Sequence, residues 1–214
     1  GRGERMRPLT DTTPKPLLKV GGKPIIHSHL ESLARAGIRR LVINHSYLGA
    51  DIEKQLGDGG RWGVSIQYSP EPGTALETGG GIHNALGLLG EGPFLVINGD
   101  VWTDYDLARI GCPAGKLAHL ILVDNPAHNP EGDFSLQNGS ISSDPGARLT
   151  FSGIGVYRAE LFDDCEGGAF PLGPLLRTAA ANGKVSGERF HGKWIDLGTP
   201  LRLKALDDML TPSA

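Results

Sequence analysis

Phe94-Leu95-Val96-Ile97-Asn98-Gly99-Asp100 is an unbroken apolar run that ends in an acid. Four large apolar residues in a row predict a strand covered on both faces, as in a parallel sheet. Leu41-Val42-Ile43 and Leu120-Ile121-Leu122-Val123 have the same character, and residues 64–68 alternate as a strand. Helical patterns separate these runs. Residues 24–36 carry a Pro in the first turn and stop at Gly37, and Gly49–Leu56 is a short helix. A glycine loop at Thr78 continues as a helix to Leu89. This alternation predicts an α/β, Rossmann-like fold whose mostly parallel central sheet is flanked by helices.

After Asp124 the texture changes. Asn138-Gly139, between residues 133–136 and 140–141, is a hairpin turn signal. Residues 149–157 read as a strand and Leu172–Ala181 as a helix closed by Asn182-Gly183. Residues 184–190 and 193–197 read as short strands paired with each other, and Thr199-Pro200 opens a last helix to about Leu210. These elements predict a second, smaller sheet within one domain, residues 1–214. No repeat or linker interrupts it.

Composition narrows the function classes. The 214 residues carry a formal net charge of −3, which argues against a nucleic-acid binder driven by bulk electrostatics. The 32 glycines are roughly twice the usual share and imply many tight loops of the kind that build ligand sites. Cys112 and Cys165 match no metal or redox spacing, and the seven histidines form no metal-spaced cluster. No secretory signal and no apolar run long enough to span a membrane is present, so the cytoplasm is the expected location.

Chemistry-bearing residues collect in four places. Gly1-Arg2-Gly3-Glu4-Arg5-Met6-Arg7-Pro8-Leu9-Thr10 followed by Thr13-Pro14-Lys15-Pro16-Leu17 packs glycines, arginines and a proline-flanked lysine into one irregular segment. Glycine lets backbone N–H groups approach phosphate oxygens, Arg and Lys supply charge, and the prolines stiffen the chain around Lys15. Asp100 follows an apolar strand, as does Asp196 in Trp194-Ile195-Asp196-Leu197-Gly198-Thr199. Ligands of open α/β sheets bind beyond the carboxyl ends of strands, and carboxylates there suit a hard cation such as Mg²⁺. The alternative for each is an acid in a strand-to-helix turn. Asp104-Tyr105-Asp106 is a D-x-D string, read here as a helix N-cap with an acidic first turn rather than as a metal pair. Glu77-Thr78-Gly79-Gly80-Gly81 puts free N–H groups at a helix start, where main-chain groups can read a flat base.

Together these strings resemble the sugar-nucleotide pyrophosphorylases, nucleotidyltransferases that join a sugar 1-phosphate to an NTP. In that family the basic loop follows a short apolar strand ending in Leu-Ala-Ala-Gly, with Gly1 matching the final Gly. The resemblance therefore implies a further strand ahead of Gly1, central in the sheet. It implies a UDP-sugar made from UTP and a sugar 1-phosphate, with N-acetylmuramate 1-phosphate the sugar suggested, as in peptidoglycan recycling. It assigns Arg5 and Lys15 to catalysis, Gly1, Gly3, Glu77, Gly79 and Gly80 to the nucleotide, and Asp100 and Asp196 to Mg²⁺. Asn98, Asp133 and Ser152 are the expected sugar contacts. Residues 1–124 become a nucleotide-binding half of GT-A-like form and 125–214 a sugar-phosphate half. GTP with mannose 1-phosphate, or dTTP with glucose 1-phosphate, is the nearest alternative pair. A non-catalytic sugar-nucleotide-binding subunit and a D-x-D glycosyltransferase are alternatives of other classes. No partner beyond the two substrates is implied, and the oligomeric state is left open.

Overall fold

The computed structural model describes residues 2–71, 73, 75–142 and 146–211. In chain order the first elements are strands β1 (Lys19–Val20) and β2 (Lys23–Pro24), helix α1 (Ile25–Arg35), β3 (Arg40–His45), α2 (Gly49–Leu56) and β4 (Ser65–Pro70). Then come α3 (Glu77–Leu89), β5 (Phe94–Ile97), β6 (Val101–Thr103), β7 (Ala118–Val123), β8 (Phe134–Gln137) and β9 (Ser140–Ser142). The last are β10 (Arg148–Tyr157), α4 (Leu172–Ala181), β11 (Val185–Arg189), β12 (Trp194–Asp196) and α5 (Pro200–Leu210). Short 3₁₀ turns at Glu4–Met6, Leu9–Asp11 and Lys15–Leu17 shape the basic loop. Among the described residues no helix is long and apolar enough to cross a membrane.

The chain forms two compact units, each discontinuous in sequence. The first comprises residues 1–75, 99–108 and 193–214, the second residues 76–98 and 109–192. Neither coincides with residues 1–124 or 125–214.

In the first unit, β3 and β4 pair in parallel with Arg40 opposite Ser65, and α2 supplies the crossover that parallel pairing requires. Leu17, Ile26, Leu30, Ile52, Leu56, Val64 and Ile66 bury their side chains between α1, α2 and β4. A second cluster of Met6, Leu18, Val20, Ile25, Leu197 and Leu206 ties the basic loop to β1, α1 and α5. The β1–β2 hairpin turns on Gly21 and Gly22, whose φ values of 57° and 79° only glycine adopts without cost. Thr199 caps α5 by accepting from the Arg202 N–H, and Pro200 follows at the first helical position, as the Thr-Pro pair predicts. Strands β6 and β12 form a separate antiparallel ladder with Val101 opposite Asp196.

In the second unit the six-stranded sheet runs β5-β10-β7-β11-β9-β8, and β10 also pairs with β8. Only β7 and β11 are parallel. This corrects the expectation of a mostly parallel central sheet: the architecture is mixed α/β. The connections give the reason. β10 is reached from β7 through the β8–β9 hairpin, which reverses the chain without a helix, so it returns antiparallel to β7. β11 follows α4 and comes back parallel to β7. The hairpin itself is as predicted, with Asn138 at φ 49° and Gly139 at φ 76°. The core gathers Phe94, Leu120, Leu122, Tyr157, Phe162, Leu176 and Val185, all buried.

Two further expectations are corrected. Residues 184–190 and 193–197 do not pair with each other. β11 pairs with β7 and β9, and β12 with β6, because the backbone of Lys193 is held by Thr103 and Asp104. Gly79, Gly80 and Gly81 are not a loop; they are buried in the first turns of α3. A Cβ at Gly79 would lie 2.5 Å from the Phe170 ring, and one at Gly80 would collide with the Gly168 carbonyl oxygen. The glycines let the 168–170 segment lie directly on the helix. That approach is locked by the Gly80 N–H donating to the Phe170 carbonyl and the Phe170 N–H donating to that of Leu76, both at 3.1 Å.

Two predictions follow from this packing. Gly80→Ala, which crowds backbone, will destabilise the protein by about 1–3 kcal/mol. Gly87→Ala, in the same helix but with open space around it, will stabilise by about 1 kcal/mol. Urea melts of the two variants should move in opposite directions; shifts of one sign would contradict the crowding at Gly80. The second concerns His29 on α1, whose Nε2 is shut off from solvent without a partner. Burial pulls its pKa down to about 4, opposed by the weaker pull of the Asp100 carboxylate and the Val101 backbone. The unfolded chain thus binds the proton more readily. The contribution is intact above pH 6.5 and is lost as pH falls from 6.5 towards 4, by up to about 1.4 kcal/mol per pH unit. Melting temperature against pH should fall more shallowly over that window in His29→Gln than in the parent protein.

Candidate active site

The first unit assembles the charged residues. Gly3, at φ 68°, turns the chain into the 3₁₀ segment Glu4–Met6, and its carbonyl accepts from the Met6 N–H at 2.8 Å and from Thr10 Oγ1 at 2.9 Å. Met6 is fully buried beneath the loop. Arg7 Nε donates to Asp11 Oδ1 at 2.7 Å, and Tyr47 Oη donates to the Asp11 carbonyl at 2.8 Å. The loop is therefore braced from within before any ligand arrives. Arg5 stands exposed on it and has no hydrogen-bond or ion-pair partner among the described residues. Gly1 lies outside the described residues.

Lys15 begins a 3₁₀ turn between Pro14 and Pro16, and its Nζ donates to Asp100 Oδ2 at 2.6 Å. The lysine side chain is 13% exposed and that of Asp100 39%, so the pair sits at a partly desolvated surface where its attraction is only partly screened. The β6–β12 ladder brings the second acid alongside. Asp196 is opposite Val101, and the Leu197 N–H donates to the Asp100 carbonyl at 2.7 Å. Asp196 Oδ1 accepts from the Gly198 N–H at 2.7 Å and Oδ2 from Arg202 Nη1 at 2.9 Å. Asp100 thus faces Lys15, and Asp196 faces Arg202. Two carboxylates offer oxygen donors of the kind that a hard divalent cation prefers. Among the described residues no cluster of three His, Cys, Asp or Glu side chains could hold a metal by itself.

The D-x-D string is spent on structure, and the capping reading holds only for Asp106: it caps a short 3₁₀ turn, Leu107–Arg109, with no acid in its first turn, whereas Asp104 holds the β6–β12 ladder. Asp104 Oδ1 accepts from the Lys193 N–H at 2.7 Å, and Asp106 Oδ1 accepts from the Ala108 N–H at 3.1 Å.

In the second unit, α3 opens at Glu77, which is exposed and held at φ 60°. A left-handed glutamate is uncommon, and residues held in such conformations cluster at active sites and ligand clamps. The Gly80 N–H is committed to Phe170 and is not open to a base, which narrows main-chain readout at this segment. The side chain of Asn98 lies against Gly153, where a Cβ would come within 2.7 Å of its Nδ2, and the Asn98 N–H donates to the Gly153 carbonyl at 2.9 Å. Asp133 Oδ2 accepts from Asn129 Nδ2 at 3.2 Å and from the Phe151 N–H at 2.8 Å. Ser152 is fully buried, with its Oγ accepting from the Ile154 N–H at 3.2 Å. As placed, Ser152 has no face to offer a sugar; it braces the irregularity in β10 between Phe151 and Gly155.

Three participants are not singled out by the sequence reading. Arg202 and Gly198 complete the surroundings of Asp196, and Phe170 closes over the start of α3. A signal for Arg202 was available. Thr199-Pro200 fixes the start of α5, which puts residue 202 in the first turn, near the end of β12.

With this geometry in place, comparisons with known proteins give the chain its kin. The nucleotidyl transferase family model matches residues 1–134. The chain is 55% identical over 213 residues to the N-acetylmuramate alpha-1-phosphate uridylyltransferase of Neisseria meningitidis serogroup B, covering 95% of this chain and 92% of that protein. The protein of the same name from Caulobacter vibrioides is 34% identical over 216 residues, covering 94% and 89%. Mannose-1-phosphate guanylyltransferase of Mycobacterium tuberculosis is 42% identical over 218 residues, which cover 94% of this chain and 59% of the relative. A solved structure from Bacillus anthracis, assigned as a glucose-1-phosphate thymidylyltransferase, has the same fold at a TM-score of 0.84 and 21% identity, covering 100% of this chain and 93% of that one. A family model matched over residues 1–134 and a near full-length relative at 55% identity lead to one conclusion: the chain belongs to the nucleotidyl transferase family.

Proposed function

We propose that this protein transfers a uridylyl group from UTP to N-acetylmuramate 1-phosphate, giving the UDP-sugar and pyrophosphate. The observation that carries the reading is the juxtaposition in the first unit of Lys15 on Asp100, with Asp196 beside them on the β6–β12 ladder. That charge arrangement suits phosphoryl chemistry, and the Neisseria relative supplies the base and the sugar. The reaction belongs in the cytoplasm, in peptidoglycan sugar recycling.

A sugar 1-phosphate is already an anionic nucleophile, so the site needs no general base. It has to align two polyanions and neutralise their repulsion. The sugar phosphate oxygen attacks the α-phosphorus in line, the bond to the β-phosphate oxygen breaks, and pyrophosphate leaves with its electron pair. Arg5, exposed and without a competing partner, and the N–H groups of the loop around Gly3 hold the β- and γ-phosphates. Lys15 turns from Asp100 to the α-phosphate. Asp100 and Asp196 would hold Mg²⁺, which would offset charge on the phosphate oxygens. Glu77 and Gly79, at the start of α3, face the nucleotide base. Asn98 and Asp133 bind the sugar phosphate, so that residues 1–124 serve mainly the nucleotide and 125–214 the sugar.

Pyrophosphate release should be measured with Mg²⁺, crossing UTP, dTTP and GTP against N-acetylmuramate, glucose and mannose 1-phosphates. We expect release with UTP and N-acetylmuramate 1-phosphate. Lys15→Ala and Asp100→Ala should each lose on the order of a hundredfold in kcat, about 3 kcal/mol of barrier. Release with GTP and mannose 1-phosphate would keep the chemistry and overturn the specificity. Nucleotide binding without release for any pair would overturn the enzymatic reading in favour of a binding subunit.

A further inference from the structure

We infer that Arg202 is a positioning residue for Asp196, acting with Gly198 to fix the carboxylate in the orientation a divalent cation needs. The inference rests on the proposal above that Asp196 is a metal ligand. Both oxygens of Asp196 already accept one hydrogen bond from a fixed donor. Oδ1 takes the Gly198 N–H at 2.7 Å and Oδ2 takes Arg202 Nη1 at 2.9 Å. Donors that hold both oxygens fix the orientation of the carboxylate, as partners of a metal ligand do. The side chains of Asp196 and Arg202 are each 21% exposed, so neither swings freely in water.

The donors are themselves held. Arg202 lies in the first turn of α5, where its own N–H reaches the Thr199 cap. Its guanidinium packs over the backbone of Gly198 so closely that a Cβ there would collide with Nη2 and lie 2.7 Å from Asp196 Oδ1. Gly198 is described with no left-handed φ, so its glycine identity answers to this crowding rather than to backbone conformation. Gly198, two residues beyond the strand, is small because the ion pair lies across it. Partners that orient a metal ligand typically govern metal affinity by 10–100-fold.

Binding of Mn²⁺ in the presence of UTP, with sugar phosphate left out, tests this without turnover. Electron paramagnetic resonance counts free Mn²⁺ directly. Arg202→Gln removes the charge and the fork. Gly198→Ala keeps the charge and pushes the guanidinium off Asp196; the colliding atom is the end of a flexible side chain, so the fold should survive. Arg202→Lys restores charge without the planar geometry. We expect the Mn²⁺ Kd to rise about tenfold or more in Arg202→Gln and in Gly198→Ala, with Arg202→Lys between them and the parent protein. Melting temperatures taken without metal separate this from a purely structural role, which would lower the melt and leave Kd alone. Should Arg202→Gln misfold, Gly198→Ala and Arg202→Lys still decide the matter. Parent-like or tighter Mn²⁺ binding in the Arg202 and Gly198 variants, with binding lost in Asp196→Asn, would overturn the role of Arg202 alone. Parent-like binding in Asp196→Asn would overturn Asp196 as a ligand, and the inference with it.

Discussion

The short ladder between β6 and β12 carries two acids from distant parts of the chain to neighbouring positions. Three residues on each side are paired, which is too little to be stable alone. The ladder is closed at both ends by other contacts. Asp104 and Thr103 grip the backbone of Lys193 at one end, and the Leu197 N–H reaches the Asp100 carbonyl at the other. The buried Leu197 and Leu206 anchor the following turn and α5 in the apolar cluster that also holds Met6 and Leu18 of the basic loop. Basic loop, first acid, second acid and closing helix thus share one small core. A change in that core is felt at all of them.

Charge is arranged by the same economy. Lys15 faces Asp100 and Arg202 faces Asp196, so neither carboxylate is left unpaired in its partly desolvated position. Arg5 is different, exposed and without a described partner, which suits a group kept for an incoming anion. Crowding plays the complementary part in the second unit. At α3 the glycines give up helix stability so that the 168–170 backbone can lie on the helix and share hydrogen bonds with it.

Much was legible in the residues. The apolar runs became strands and the periodic stretches helices close to where they were read, with the strand Phe94–Ile97 and the helices Gly49–Leu56 and Leu172–Ala181 matching residue for residue. The hairpin at Asn138-Gly139, the capped start of α5 and the cap at Asp106 were also legible, because each is a local chemical rule, whereas the hold of Asp104 on Lys193 spans 89 positions. What failed was non-local. The pairing of β11 and β12 and the parallel character of the large sheet depend on which distant strand presents free backbone groups. The triple glycine looked like a loop because glycine disfavours helix; its reason lies some ninety residues away in sequence, at Gly168 and Phe170. Ser152 looked like an accessible strand residue and is buried at a bulge that periodicity does not announce.

By itself the sequence determined the composition of the site: a glycine-rich basic loop, a proline-flanked lysine, and acids at the ends of apolar strands. Their local settings follow from short-range preferences. The tertiary structure alone decided which partner each acid has. Lys15 meets Asp100 across eighty-five positions, and Arg202 meets Asp196 only because α5 starts where the ladder ends. Such pairings are set by the packing of Met6, Leu18, Leu197 and Leu206 into one core, and a contact between residues distant in the chain leaves no local periodicity to read.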